Sequence, residues 1–258
     1  MSCGPTTADG VATSDDAVLG GRLVLRQPLR GHRFGHDAIL LAAATPALAG
    51  EWAVEFGAGV GAAGLALAQR VARLKVTLVE IEPALAGLAQ DNAARNGLAD
   101  RVQAICLDVA AAPAAFAAAG LPPAAADRVL MNPPFNSGQN QSADDARRVA
   151  HAASPGSLAL WLAAAARLLV AGGTATLIWR ADGLADVFAA LAADFGGIVV
   201  LPVYGKPETP AIRVLVRAAK GSKAPSALLP GLILADKSGR PTPEAETVLR
   251  DGAALALA

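Results

Sequence analysis

The chain has 258 residues, 53% hydrophobic and 17% charged, with 22 Lys plus Arg against 22 Asp plus Glu. That length gives one large domain, or a domain with an appendage, and enough chain to bury a full core. The composition excludes a disordered chain, and zero net charge removes any global electrostatic case for nucleic-acid binding while leaving room for a local basic patch.

Residues 1–19 are small, polar and acidic and read as a flexible tail. No Lys or Arg precedes Arg22, so the basic start of a signal peptide is missing. Apolar runs are broken before the ~20 residues of a membrane span, so a cytoplasmic protein with no membrane partner is expected. Two cysteines and three histidines give neither a disulfide framework nor a metal site.

Residues 20–50 read as a cap segment: alternation in GGRLVLRQPLRG (20–31) suits a short strand or hairpin, and HDAILLAAAT (36–45) suits a helix stopped by Pro46. From 51 to 219 short apolar strands alternate with helices. Strands are expected in 51–59, which runs into glycines, 75–83, 101–108, 126–135, which stops at a double proline, 174–180, 197–203 and 211–219, and helices at 62–72, 84–96, 110–119, 157–173 and 182–194. The helix at 157–173 is read as closed by its glycines. Strands apolar on both faces indicate an α/β fold with a mostly parallel sheet covered by helices. The last two strands lack a helix between them, which predicts a hairpin and one antiparallel strand. Residues 220–258 read as an appendage, with a helix starting at Pro243.

The strand ending at Phe56 runs into Gly57, Gly59 and Gly61. Glycine there permits a tight turn and close approach of a ligand to the backbone. Glu55-x-Gly57-x-Gly59-x-Gly61 suits a nucleoside-binding loop, Gly59-x-Gly61-x-x-Gly64 fits a dinucleotide pattern, and a plain strand-to-helix turn is the third reading. Glu80 lies about twenty residues on, where a carboxylate accepts from ribose hydroxyls. Glu82 reads as a cap of the next helix. Asp108 is either an acceptor for an adenine amino group or a helix cap.

Asn132-Pro133-Pro134-Phe135 closes another strand. The Asn132 side-chain oxygen and the Pro133 carbonyl form an acceptor pair on a stiff backbone, suited to an exocyclic –NH2, and Phe135 offers a face for the ring bearing that amine. His151 reads as an ordinary loop histidine.

These residues resemble the Asn-Pro-Pro-Phe/Tyr motif of S-adenosylmethionine-dependent amino-methyltransferases. The upstream RQPLRGHRFGHDAILLAAA segment is similar to the bacterial tRNA1(Val) (adenine-37-N6)-methyltransferase group. The resemblance covers roughly residues 20–220. It implies a Rossmann-like class I fold with a mostly parallel seven-stranded sheet, and S-adenosyl-L-methionine as cofactor. Glu55, Gly57, Gly59, Gly61, Glu80, Asp108 and Asn132 would bind that cofactor, together with Gly35, His36 and Asp37 of the covering segment. Asn132, Pro133, Pro134 and Phe135 would carry the chemistry. The implied substrate is tRNA, methylated at adenine N6, with protein glutamine N5 or DNA as alternatives. Arg30, Arg33, Phe135 and Arg147 are the substrate-binding candidates, within a basic rim that also draws on Arg22, Arg26 and Arg213. A nicotinamide oxidoreductase would use the glycines but leaves the Asn-Pro-Pro-Phe run unexplained, and a non-catalytic nucleic-acid-binding protein needs no such pocket.

Overall fold

In a computed structural model the described residues are 12–30, 33–134, 156–255 and 257. The chain opens with a hairpin of β1 (Thr13–Val18) and β2 (Leu23–Pro28), antiparallel and joined by a short turn at Leu19–Gly21. Residues 13–18 are therefore a strand and not a tail. Their Asp15 and Asp16 are held by arginines from elsewhere: Asp15 by Arg26 and Arg95, Asp16 by Arg33.

Helix α1 (His36–Ala44) follows, and then the alternating part: β3 (Trp52–Phe56), α2 (Ala62–Arg70), β4 (Lys75–Glu80), α3 (Pro83–Arg95), β5 (Val102–Cys106), α4 (Pro113–Ala118) and β6 (Ala126–Met131). After it come α5 (Ser157–Leu168), β7 (Leu169–Arg180), α6 (Leu184–Leu191), β8 (Phe195–Tyr204) and β9 (Ala211–Lys220). Two short strands, β10 (Ala227–Leu228) and β11 (Leu232–Ile233), and helix α7 (Pro243–Leu249) complete it.

The large sheet runs β10-β8-β9-β7-β6-β3-β4-β5, with β11 also on β8. Strand β9 is antiparallel to both neighbours and every other pairing in the sheet is parallel. The seven expected strands and the single reversed one are present, and β10 and β11 lengthen the β8 edge. The stretch beyond residue 220 is thus built into the sheet, and α7 packs on α1 and β11.

Side-chain alternation divides the core. Ala53, Val76, Leu78, Leu130, Ile178 and Leu215 meet α1 and α2 on one face, while Val54, Phe56, Val129, Met131 and Leu177 meet α4, α5 and α6 on the other. The helix expected to reach residue 173 ends at Leu168. Leu169 is fully buried and already pairs with Ala126, and the ladder then skips to Arg128 opposite Thr174. The intervening glycines serve this irregularity, with Gly172 at φ 75°, instead of closing the helix. Among the described residues no helix is long and apolar enough to cross a membrane.

Candidate functional site

The sheet order reverses between β3 and β6, the switch point at which open α/β sheets hold ligands beyond their carboxyl ends. Register aligns the candidates there. Phe56 pairs with Met131 and with Val79, and Glu80 pairs with Cys106. The next residues outward put Asn132, Gly57 and Glu80 side by side along one edge, on strands about 4.8 Å apart.

Gly57, Gly59 and Gly61 all adopt positive φ, at 66°, 56° and 86°. The Ala58 N–H donates to the Val79 carbonyl at 3.0 Å, which ties the loop to β4. A Cβ on Gly59 would meet nothing within 4 Å, so this backbone faces open space above the edge. Gly64, one turn into α2, is the opposite case: a Cβ there would overlap Leu78 and come 2.7 Å from Glu55 Oε2. That glycine lets α2 settle onto the sheet closely enough for the Gly64 N–H to donate to Glu55 at 2.7 Å.

Glu55 therefore faces the first turn of α2 and not the open edge. It is buried, and burial pushes its carboxyl up to about 8, opposed by the Gly64 hydrogen bond and assisted by the charge of Glu80. Between about pH 4.5 and 8 the folded state keeps a proton that the unfolded state releases, so stability falls by about 1.4 kcal/mol per pH unit over that window. Thermal melts of wild type and Glu55→Gln should converge near pH 5 and diverge toward pH 9, with the variant the more stable at high pH. Parallel curves across that range would refute this account of Glu55.

Glu80 is buried at the edge itself, and both of its oxygens hold backbone: Oε2 accepts from the Gly59 N–H at 2.7 Å and Oε1 from the Glu82 N–H at 2.9 Å. Each oxygen keeps a second lone pair for a hydroxyl donor. Asp108 is exposed, and its Oδ1 accepts from the Ala110 N–H at 2.8 Å in a local turn. The helix-cap reading does not hold, because α4 starts at Pro113 with Ala112 as its cap residue and no side-chain capping bond, and Asp108 Oδ2 is left for a ligand. Ile81, between Glu80 and Glu82, is 61% exposed on this edge, an apolar surface beside the Glu80 carboxylate that sequence reasoning missed. Period-two alternation on a strand reveals nothing about a residue just past the strand's end.

Asn132 leaves β6 half-buried, followed by buried Pro133. Its Oδ1 is buried and has no hydrogen-bond partner among the described residues. A buried acceptor left unpaired costs about 1–3 kcal/mol, which a donor from a ligand recovers. The open Gly59 backbone, the Glu80 carboxylate, the apolar Ile81 and this orphaned oxygen fit a nucleoside-bearing cofactor with a donor-bearing group beside it. Phe135, Arg147 and His151 lie outside the described residues.

The remaining described candidates lie on the hairpin side and on α1. Gly35 and His36 line a cavity of about 610 Å³ between the β1–β2 hairpin, the start of α1 and α7, whose walls include neither the glycine loop nor Asn132. Asp37 accepts from Arg213 Nε of β9 at 2.8 Å, an ion pair joining residues 176 positions apart. Arg33 is occupied by Asp16, Ser14 and the Pro28 carbonyl, while Arg30 is exposed and has no ion-pair partner among the described residues. The acids of β1, read from sequence as tail, are thus the counter-charges of the proposed basic rim.

A family model described as methyltransferase small domain matches residues 34–201. The tRNA1(Val) (adenine(37)-N6)-methyltransferase of Enterobacter sp. (strain 638) is 31% identical over 166 residues, 64% of this chain and 64% of that relative's length. A crystal structure from Agrobacterium tumefaciens, protein Atu636, described as a predicted O-methyltransferase, superposes with a TM-score of 0.73 at 30% identity, over 85% of this chain and 98% of that one. A 16S rRNA N2 methyltransferase of T. thermophilus, in complex with AdoMet and guanosine, shares the fold at a TM-score of 0.55 and 21% identity, over 81% of this chain and 50% of that one.

Proposed function

The chain belongs to the methyltransferase small domain family, and from that premise we propose that it methylates an exocyclic amino nitrogen, adenine N6 of a tRNA, with S-adenosylmethionine as donor. The fold and the family support S-adenosylmethionine as the methyl donor. The choice of nitrogen rests on one observation, the buried and unpartnered Asn132 Oδ1. An amine offers two N–H donors, one for Asn132 Oδ1 and one for the Pro133 carbonyl, whereas a hydroxyl offers one.

When bound, the cofactor supplies a methyl group on a sulfonium. The protein's part is to orient and to stabilise charge. Adenine N6 is a poor nucleophile because its lone pair is delocalised into the ring. Two acceptors on its hydrogens favour the tetrahedral, cationic nitrogen and aim its lone pair at the methyl group. The bound donor would give up its methyl group with cleavage of its S–C bond as the N–C bond formed, and the product ammonium would be acidic enough to lose its proton to water, so no strong base is needed. Glu80 and the glycine loop would hold the ribose side of the donor, with Ile81 offering an apolar surface beside it.

The tRNA preference is supported by the similarity to the Enterobacter relative, whose name gives that substrate. The test is methyl transfer from labelled donor to separate tRNA, rRNA, DNA and protein fractions, with nucleoside digestion of the labelled product. N6-methyladenosine from tRNA is expected. Label recovered as methylglutamine moves the enzyme to protein substrates, and label on a hydroxyl oxygen removes the role given to Asn132.

Charge on the approach surface gives a second expected result. Arg30 is exposed and has no ion-pair partner among the described residues, so Arg30→Ala should lower the log–log salt dependence of tRNA binding by about one unit. Arg33→Ala should instead loosen the hairpin, since Arg33 already serves Asp16. Equal salt slopes for wild type and Arg30→Ala would take Arg30 out of the RNA contact.

A further inference from the structure

Trp161 sits on α5, on the opposite face of the sheet from α2, yet it reaches the cofactor loop. A Cβ built on Gly57 would come 2.6 Å from Trp161 Cη2 and 3.1 Å from Cζ3, so the outer edge of the indole lies directly against the first glycine of the loop. The indole stands edge-on to Phe56, with ring centroids 6.4 Å apart and planes at 88°, and Phe56 stands edge-on to Phe116 of α4 at 6.0 Å. Arg167, two turns further along α5, lies over the Phe116 ring. Edge-to-face is a preferred arrangement of aromatic pairs, and such pairs stabilise beyond the area they bury.

We propose that Trp161 is a positioning residue for the cofactor. Its ring edge braces Gly57 from beneath, so that the Gly57–Gly61 backbone stays in its left-handed course and Gly59 keeps facing open space. The inference rests on the reading of this loop as the S-adenosylmethionine site and adds a residue from the far face to it. It also assigns two separate reasons for glycine at position 57: a φ of 66°, which disfavours any side chain, and the indole, which leaves no room for one.

The two reasons separate in a double-mutant cycle. Phenylalanine at 161 keeps an aromatic edge toward Phe56 but lacks the outer indole atoms that a Gly57 Cβ would strike. The measurements are the Kd for S-adenosylmethionine by calorimetry, kcat, and the melting temperature, for wild type, Gly57→Ala, Trp161→Phe and the pair. Gly57→Ala is expected to weaken binding at least tenfold. Trp161→Phe alone should weaken it about threefold through a looser loop, raising the KM for cofactor with little change in kcat. The double variant should bind at least threefold better than Gly57→Ala, because the steric conflict is gone and only the backbone strain remains. Additive losses would overturn the brace, as would a Trp161→Phe protein that melts lower yet binds cofactor like wild type. A wild-type protein that binds no S-adenosylmethionine overturns the proposed function and this inference together, whereas normal wild-type binding with additive variants overturns the brace alone.

Discussion

Asn132→Ala is expected to lower turnover by about 10²-fold or more while leaving S-adenosylmethionine affinity near wild type. The removed oxygen is buried, so it acts in a low-dielectric setting, and it has no partner within the described protein whose loss would disturb the fold. Its stabilisation of an amine strengthens as the nitrogen gains positive charge, so the loss appears in kcat and kcat/KM together. Methyl transfer to the verified substrate, followed under single turnover, reads the effect without interference from product release. A variant with unchanged turnover would sink the amino-nitrogen mechanism. Asn132→Asp is the informative companion, since it keeps an acceptor of the same size.

Glu80→Ala is expected to weaken cofactor binding by about 10–150-fold, the scale of about 1.5–3 kcal/mol for hydrogen bonds to a charged group. Two causes act together. The ribose hydroxyls lose their acceptor, and the Gly59 and Glu82 N–H groups lose the carboxylate that holds them. Glu80→Gln keeps the shape and one acceptor oxygen and should lose less. Calorimetry against S-adenosylhomocysteine measures both. Wild-type affinity in Glu80→Ala would remove this residue from the site. Because Glu80 also fixes the loop, the variant is expected to melt at lower temperature even without ligand.

Much of this site was legible because it depends on local signals. A strand running into alternate glycines, an acid about twenty residues on and an Asn-Pro-Pro run at another strand's end are features of short segments. Parallel pairing then brings them to one edge by register alone. What was not legible depends on distant partners. The segment Thr13–Val18 looks like tail because two adjacent aspartates are poor strand formers, and it becomes a strand because Arg26, Arg33 and Arg95 neutralise them. The inward turn of Glu55 follows from the close seating of α2 at Gly64. The Gly172–Gly173 pair carries the signature of a helix stop, but burial of Leu169 draws those residues into β7. Gly35, His36 and Asp37 came from family resemblance, and the structure puts the first two on a separate cavity and the third on Arg213.

Helix α1 is held by segments from both directions of the sequence. Its Ala43 carbonyl accepts from the Leu255 N–H at 2.8 Å, α7 packs on it, and Leu257 is buried in the same core. Nearby, Arg22 Nη2 donates to the Arg250 carbonyl across 228 positions. Contacts of such separation carry a large loop-closure cost and make for slow folding. At a ribosomal rate of 5–20 residues per second, roughly 10–50 s pass between the emergence of the hairpin and that of the segment which seals it. Leu40, Leu41 and the alanines of α1 stay without their full cover for that interval. The apolar cover of α1 is therefore complete only once α7 and the residues after it have been made.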